Sequence, residues 1–211
     1  IVIADENFGT DRKWLKAFCE MIKPFDVLWR VAGMRVNCIA PEQINLMKEA
    51  GCVSIIYGME TGSPKMLEVM EKKTKVSENC DAMKWTLGSD LYSAVQLVLG
   101  MPGETDKTVQ ETIEMCKYVL TLREDLNPNN LSINYAQALP GTPLYEFARH
   151  KAIIGEDQDG EEDYLLEISD RNAHDELTTL NFTELPTLVC QTWRPKVTIE
   201  TNYAFVKKFG I

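Results

Sequence analysis

Short apolar runs alternate with stretches of helical period along this chain, and the alternation repeats five times. Ile1-Val2-Ile3-Ala4 is an unbroken apolar run that stops at Asp5-Glu6-Asn7, which predicts a buried strand with a polar exit. Gly9-Thr10-Asp11 then opens a helix whose Trp14, Phe18, Met21 and Ile22 share a face, and Pro24 ends it. Residues 27–37 hold the next extended stretch, with Arg35 near its end. Pro41 starts a helix carrying Ile44, Met47 and Ala50 on one side, and Gly51 suits the left-handed position just past it. Residues 53–57 are a β-branched run of the kind buried on both faces. Glu60 follows at once, between Gly58 and Gly62.

The second half keeps the rhythm. Ser63-Pro64 is expected to cap a helix bearing Met66, Leu67 and Met70, and residues 77–87 form another, closed by Gly88. Residues 91–99 read as a strand broken by Gly100-Met101-Pro102-Gly103-Glu104. Thr105 then caps a long helix with Val109, Ile113, Cys116 and Leu120 facing inward. Residues 131–139 are the last strand, followed by Pro140-Gly141-Thr142-Pro143 and a helix to about His150. Strands and helices in strict alternation imply an α/β fold, a parallel sheet wound toward a barrel. Ligands of such sheets bind in the loops at the carboxyl ends of the strands.

Beyond residue 151 the pattern changes, so residues 1–151 are expected to be the barrel and 152–211 a C-terminal accessory segment. Residues 156–163 hold six acidic side chains in eight, which predicts a solvated loop. Residues 164–181 show no period. Residues 185–209 look helical in part, with Leu188, Val189, Thr192 and Trp193 spaced for a buried face and Pro195 placed to break or kink the helix.

Composition narrows the function. With 211 residues, 45% of them hydrophobic, the chain can bury a sizeable core, and its formal charge of -10 argues against a phosphate-tracking surface, so nucleic acid is not an expected partner. Neither a membrane span nor a signal peptide is visible, which points to a cytoplasmic protein. A strand at residue 1 without an initiator Met suggests a fragment of a larger protein. The six cysteines, at 19, 38, 52, 80, 116 and 190, form no Cys-x-x-Cys pair and read as structural thiols of a reducing compartment. His150 and His174 have no partners at metal-ligand spacing, so no metal site is expected within the chain.

Taken together, Asp5-Glu6-Asn7-Phe8, Trp29 with Arg35-Val36-Asn37, Gly58-Met59-Glu60-Thr61-Gly62-Ser63, Gly100-Met101-Pro102-Gly103-Glu104-Thr105 and Pro140-Gly141-Thr142-Pro143-Leu144-Tyr145 resemble one family. It is the radical S-adenosylmethionine (SAM) superfamily, in particular its cobalamin-binding-type branch. The resemblance spans roughly residues 1–151 and rests on the order and spacing of the five motifs. It implies a partial parallel (βα) barrel, about five of whose six strand-helix units are present here. It also implies an enzyme in which a 4Fe-4S cluster, held by Cys-x-x-x-Cys-x-x-Cys after a first strand, reduces SAM to a 5'-deoxyadenosyl radical. That strand and its cysteines are missing here, so the ligands are expected upstream of Ile1, and the fragment alone is expected to be inactive. Thr61 stands where the branch usually has Ser, and Asn37 where it usually has Asp.

The resemblance supplies cofactors, SAM and a 4Fe-4S cluster with cobalamin as a further candidate, and partners, a small-molecule substrate and an electron donor. SAM carries an amino group, a carboxylate, a sulfonium and a ribosyl adenine, so its pocket needs carboxylates, a cation and an apolar slot. Arg35 would pair with the methionyl carboxylate, and Glu60 would accept from ribose hydroxyls or the amino group. Asp5 and Glu6 would face the amino group or substrate. Val98, Leu99 and Met101 would line the adenine, with Gly58 and Gly100 admitting close backbone approach. No catalytic residue is assigned. Arg35 equally suits a surface salt bridge, Asp5-Glu6-Asn7 a plain polar strand exit, and Glu104 the favourable amino end of the helix after Thr105. A non-catalytic binding barrel and an aldolase or phosphosugar-type barrel remain open alternatives.

Overall fold

Five parallel strands lie side by side in chain order: β1 (Val2–Ala4), β2 (Trp29–Met34), β3 (Cys52–Glu60), β4 (Val95–Leu99) and β5 (Leu131–Tyr135). They belong to a computed structural model that describes residues 1–5, 8–155, 157–169 and 180–210. Between them run α1 (Arg12–Ile22), α2 (Pro41–Glu49), α3 (Pro64–Val69), α4 (Val76–Gly88) and α5 (Asp106–Leu120), and α6 (Pro143–His150), α7 (Gln158–Ser169) and α8 (Thr187–Phe209) follow β5. This is the α/β, sequentially ordered parallel sheet that the alternation predicts.

The two faces of the sheet differ. Val31, Ile55, Tyr57, Val95, Leu97 and Ile133 are buried on the helix side. On the opposite face Ala32 is exposed, and Ile56, Gly58, Gln96, Val98 and Asn134 are half-buried. Each fully buried aliphatic side chain contributes roughly 1.5–3 kcal/mol. A slip of one residue would lose that across the whole face, so the helix side sets the register.

Several local expectations give way to tertiary contacts. The strands are shorter than the apolar runs, since ladder pairing ends at Tyr135 and begins at Val95, with Tyr92 making only an isolated bridge to Ser54. Ser63 does not cap α3; its hydroxyl bonds to Glu111 instead. Gly88 lies inside α4, and Asp90 takes the left-handed conformation beyond it. In α1 the wholly buried residues are Leu15 and Cys19, while Trp14 and Met21 stay exposed at the edge of that face.

The C-terminal segment departs most. The acidic stretch is not a loop: α7 begins at Gln158, because Asp157 Oδ1 accepts the Gly160 amide at 2.9 Å and Asp159 and Glu161 sit in the first turn, where negative charge is favoured. Arg149 Nε reaches Glu161 at 2.5 Å, and the Tyr164 hydroxyl donates to the Ala138 carbonyl at 2.6 Å. Glu156 and His174 lie outside the described residues. Pro195 does not break α8. It faces solvent, and wholly buried Trp193 and Val197 on either side, at roughly 1.5–3 kcal/mol each, offset a proline cost of about 3 kcal/mol. The buried face is Cys190, Trp193, Val197, Thr201 and Phe205, with Leu188 and Thr192 outward. Its phase is set by the Trp193 indole, which donates to Asp106 Oδ1 at 2.7 Å, and by the Tyr135 hydroxyl, which donates to the Cys190 carbonyl at 2.9 Å. No described helix is long and apolar enough to cross a membrane.

Candidate functional site

Asp5 follows β1, Arg35 follows β2, Glu60 ends β3 and Gly100 follows β4. Because the strands are parallel, all four stand on one rim. Glu6 lies outside the described residues.

The β3 exit is the most developed part of that rim. Gly58 pairs with Gln96 but Glu60 pairs with Leu97, a bulge of the kind that re-aims a side chain at a site. Glu60 has φ 63°, an uncommon conformation for a residue with a Cβ. Its Oε1 lies 2.6 Å from the Lys72 ammonium, with side-chain exposures of 19% and 30%, so the pair is only partly screened. Gly58 makes room for it, since a Cβ there would stand 2.9 Å from Glu60 Oε1 and 3.5 Å from Lys72 Nζ. Arg35 closes the group by donating from Nη2 to the Lys72 carbonyl at 2.9 Å and from Nε to Asn37 Oδ1 at 3.5 Å. Two of its five donors are thus used, and Arg35 acts first as a brace for Lys72.

Lys72 is the residue that the motifs do not announce. Glu71 and Lys73 on either side have positive φ, 51° and 54°, so the turn after α3 is wound tightly around it. The only signal in the sequence is a basic pair just past a short helix.

The β4 exit is built differently. Gly100 donates its amide to Glu104 Oε2 at 2.5 Å, and Glu104 is 1% exposed. Burial pushes its carboxyl up to about 7, against the opposing pull of the Gly100 and Met101 amides. Its Oε1 is buried without a partner. Val98 and Met101 are half-buried against the cluster that contains Tyr145, Tyr164 and Phe182. Leu99 is a correction: strand alternation turns it into the helix-side core with Val95 and Leu97, fully buried, so its side chain is not available to line an adenine slot. Asp5 is exposed at a separate hollow of about 240 Å³ beside Phe8 and Trp14. Lys72 therefore brings together Glu60, Gly58 and Arg35.

The thiols do not suit an iron-sulfur cluster. Burial pushes Cys19 up to about 11 and Cys52 and Cys116 up to about 12, and also raises Cys80 and Cys190, as for thiols packed in a core. They are spread over five elements, and among the described residues no three His, Cys, Asp or Glu side chains converge to hold a metal ion.

Residues 8–116 match the Radical SAM superfamily. The chain is 30% identical over 155 residues to an uncharacterized methyltransferase of Pyrococcus horikoshii, covering 70% of this chain and 31% of that protein. It is likewise 30% identical over 159 residues to the anaerobic magnesium-protoporphyrin IX monomethyl ester cyclase of Cereibacter sphaeroides, covering 72% of this chain and 25% of that one. Among solved structures, the radical SAM methyltransferase TsrM of Kitasatospora setae, with cobalamin and a [4Fe-4S] cluster bound, overlays with a TM-score of 0.59 at 18% identity. That overlay covers 72% of this chain and 29% of TsrM, and it speaks for the fold. The chain spans under a third of the length of these curated relatives, 31% and 25%.

Proposed function

Since this chain belongs to the radical SAM superfamily, we propose that it forms most of the SAM-binding rim of an enzyme that cleaves SAM to start radical chemistry on a small-molecule substrate. The observation that carries this is the β3 exit, where Glu60 and Lys72 meet over Gly58, braced by Arg35. A carboxylate beside an ammonium matches the charges of an amino acid, so Glu60 would accept from the SAM amino group or ribose hydroxyls while Lys72 and the remaining Arg35 donors face the carboxylate. Val98, Met101 and the backbone at Gly100 would flank the adenine. Asp5 and Glu6 would lie toward the amino group or substrate.

A 4Fe-4S cluster, when bound, supplies the electron that SAM cleavage needs. The cysteines described here do not converge to hold it, so its ligands would come from outside this chain. Cobalamin, bound in the TsrM structure, is assigned no residue here. An electron donor is the expected partner. Six free thiols suit a reducing compartment, which supports a cytoplasmic enzyme.

Calorimetric titration of SAM into the full-length protein tests the reading. Glu60→Gln keeps the shape and removes the charge, and it should weaken binding by about 1.5–3 kcal/mol, the scale of a hydrogen bond to a charged group. Unchanged affinity would sink the assignment.

A further inference from the structure

Glu60 holds a backbone conformation that its own side chain does not explain. With φ 63° at Glu60 and the Thr61 amide donating to the Met59 carbonyl at 2.8 Å, residues 59–61 form a γ-turn of the positive-φ kind. Turns of this sign are rare and strained, and they persist only when the surroundings over-determine them. The surroundings here are a buried polar cluster behind the strand.

Asn79, wholly buried in α4, donates from Nδ2 to the Met59 carbonyl at 3.3 Å and to the Thr61 carbonyl at 3.2 Å. These are the two carbonyls that flank Glu60. Both are acceptors, so they fix which end of the amide faces them, and only a nitrogen with two hydrogens can serve both. A buried helical asparagine is otherwise unfavourable, and its Oδ1 is left without a partner; apart from a weak contact of Nδ2 to Met115 Sδ at 3.7 Å, its hydrogen bonds go to this turn. The neighbouring bonds hold a different stretch. Thr112 Oγ1 meets Thr61 Oγ1 at 2.9 Å and accepts the Gly62 amide at 3.0 Å, at a point where the missing Gly62 side chain lets α5 approach. They fix residues 61–62 to α5 and touch neither carbonyl.

We propose that Asn79 is a positioning residue for SAM recognition: by bridging the Met59 and Thr61 carbonyls it forces the γ-turn that lays the Glu60 carboxylate over Gly58 against Lys72. Relaxing the turn swings that carboxylate away from the charge arrangement that receives SAM. The inference rests on the reading of Glu60 as a SAM ligand, and its test separates the two.

Asn79→Asp keeps the shape but replaces the donating nitrogen with an oxygen that repels both carbonyls. In the full-length protein, calorimetry should show SAM affinity falling about tenfold, or about 1.4 kcal/mol. Thr112→Val, which disturbs the same cluster without touching the carbonyls, should stay within about twofold. Hydrogen exchange at the Thr61 amide should accelerate in Asn79→Asp and stay slow in Thr112→Val. In a Glu60→Gln background, Asn79→Asp should add almost nothing, because it acts through Glu60. Should Asn79→Asp fail to fold, Asn79→Ser carries the same expectations. Wild-type affinity in the Asn79 variant, an additive loss in the Glu60→Gln background, or an equal loss in Thr112→Val would overturn the proposal. Wild-type affinity in Glu60→Gln itself would overturn the SAM-ligand reading and this one with it.

Discussion

Glu60 and Glu104 occupy similar sequence settings, each a carboxylate in a glycine-bearing exit from a parallel strand, but the fold gives them opposite surroundings. Glu60 is partly exposed and faces a cation 2.6 Å away. Glu104 is 1% exposed, with no side chain of opposite charge among the described contacts, and accepts backbone N–H groups from its own turn. One carboxylate sits at the rim beside a cation; the other is consumed inside the protein. The helix-end account of Glu104 becomes secondary, because Thr105 already caps α5 and the carboxylate reaches back to Gly100. A carboxylate after a glycine at a strand end is thus a weak signal until its burial is known.

The largest test of this contrast is pH. Burial raises Glu104 from 4.5 to about 7 in the folded chain, so the folded state binds its proton more tightly than the unfolded state does. Its stabilising contribution is therefore full below pH 4.5 and is lost as pH rises through 7. Urea unfolding should show a decline of about 2–3 kcal/mol between pH 5 and 8 that is missing from Glu104→Gln. Parallel profiles for the two proteins would erase the distinction between the exits.

A smaller effect is expected at Gly58. An added methyl would stand 2.9 Å from Glu60 Oε1, the end of a flexible side chain, so Gly58→Ala should spare the fold and displace the ion pair. SAM affinity should fall about tenfold, roughly 1.4 kcal/mol, with little change in thermal midpoint. A large drop in midpoint with unaltered affinity would make Gly58 a packing residue.

The smallest concerns Lys65, whose ammonium donates to the Gly103 carbonyl at 2.7 Å on the exposed side of the β4 exit. Lys65→Met should change unfolding free energy by about 0.5 kcal/mol and leave SAM binding alone. A marked loss of SAM affinity would move the β4 exit from scaffold toward ligand.

Much of the β3 exit was legible in the chain. Gly58, Glu60 and Gly62 announce a turn that brings a carboxylate to a strand end, and Arg35 is recognisable one strand earlier. Lys72 was not, because nothing in a basic pair after a helix says which strand end it will face. Leu99, by contrast, follows from the chain: in Val95-Gln96-Leu97-Val98-Leu99 the polar Gln96 marks the outer face, which leaves Leu99 with Val95 and Leu97 in the core. On α8, the face expected from Leu188, Val189, Thr192 and Trp193 is rotated, with Leu188 and Thr192 outward, because Trp193 reaches Asp106.

What the residues decided alone is what depends on neighbours within a few positions: five apolar runs, the helices between them, Asp11, Thr105 and Thr142 as caps, and hence a parallel sheet with its polar exits on one rim. Tertiary structure alone decided how each exit is built. Asn79 meets Thr61 across 18 positions, Thr112 meets Gly62 across 50, and Trp193 meets Asp106 across 87. Such contacts set burial, and burial determines whether a carboxylate stays partly exposed beside a cation, as at Glu60, or is desolvated and bound inside, as at Glu104. Local pattern cannot contain that outcome, because the cost of desolvation is imposed by segments far away in the chain.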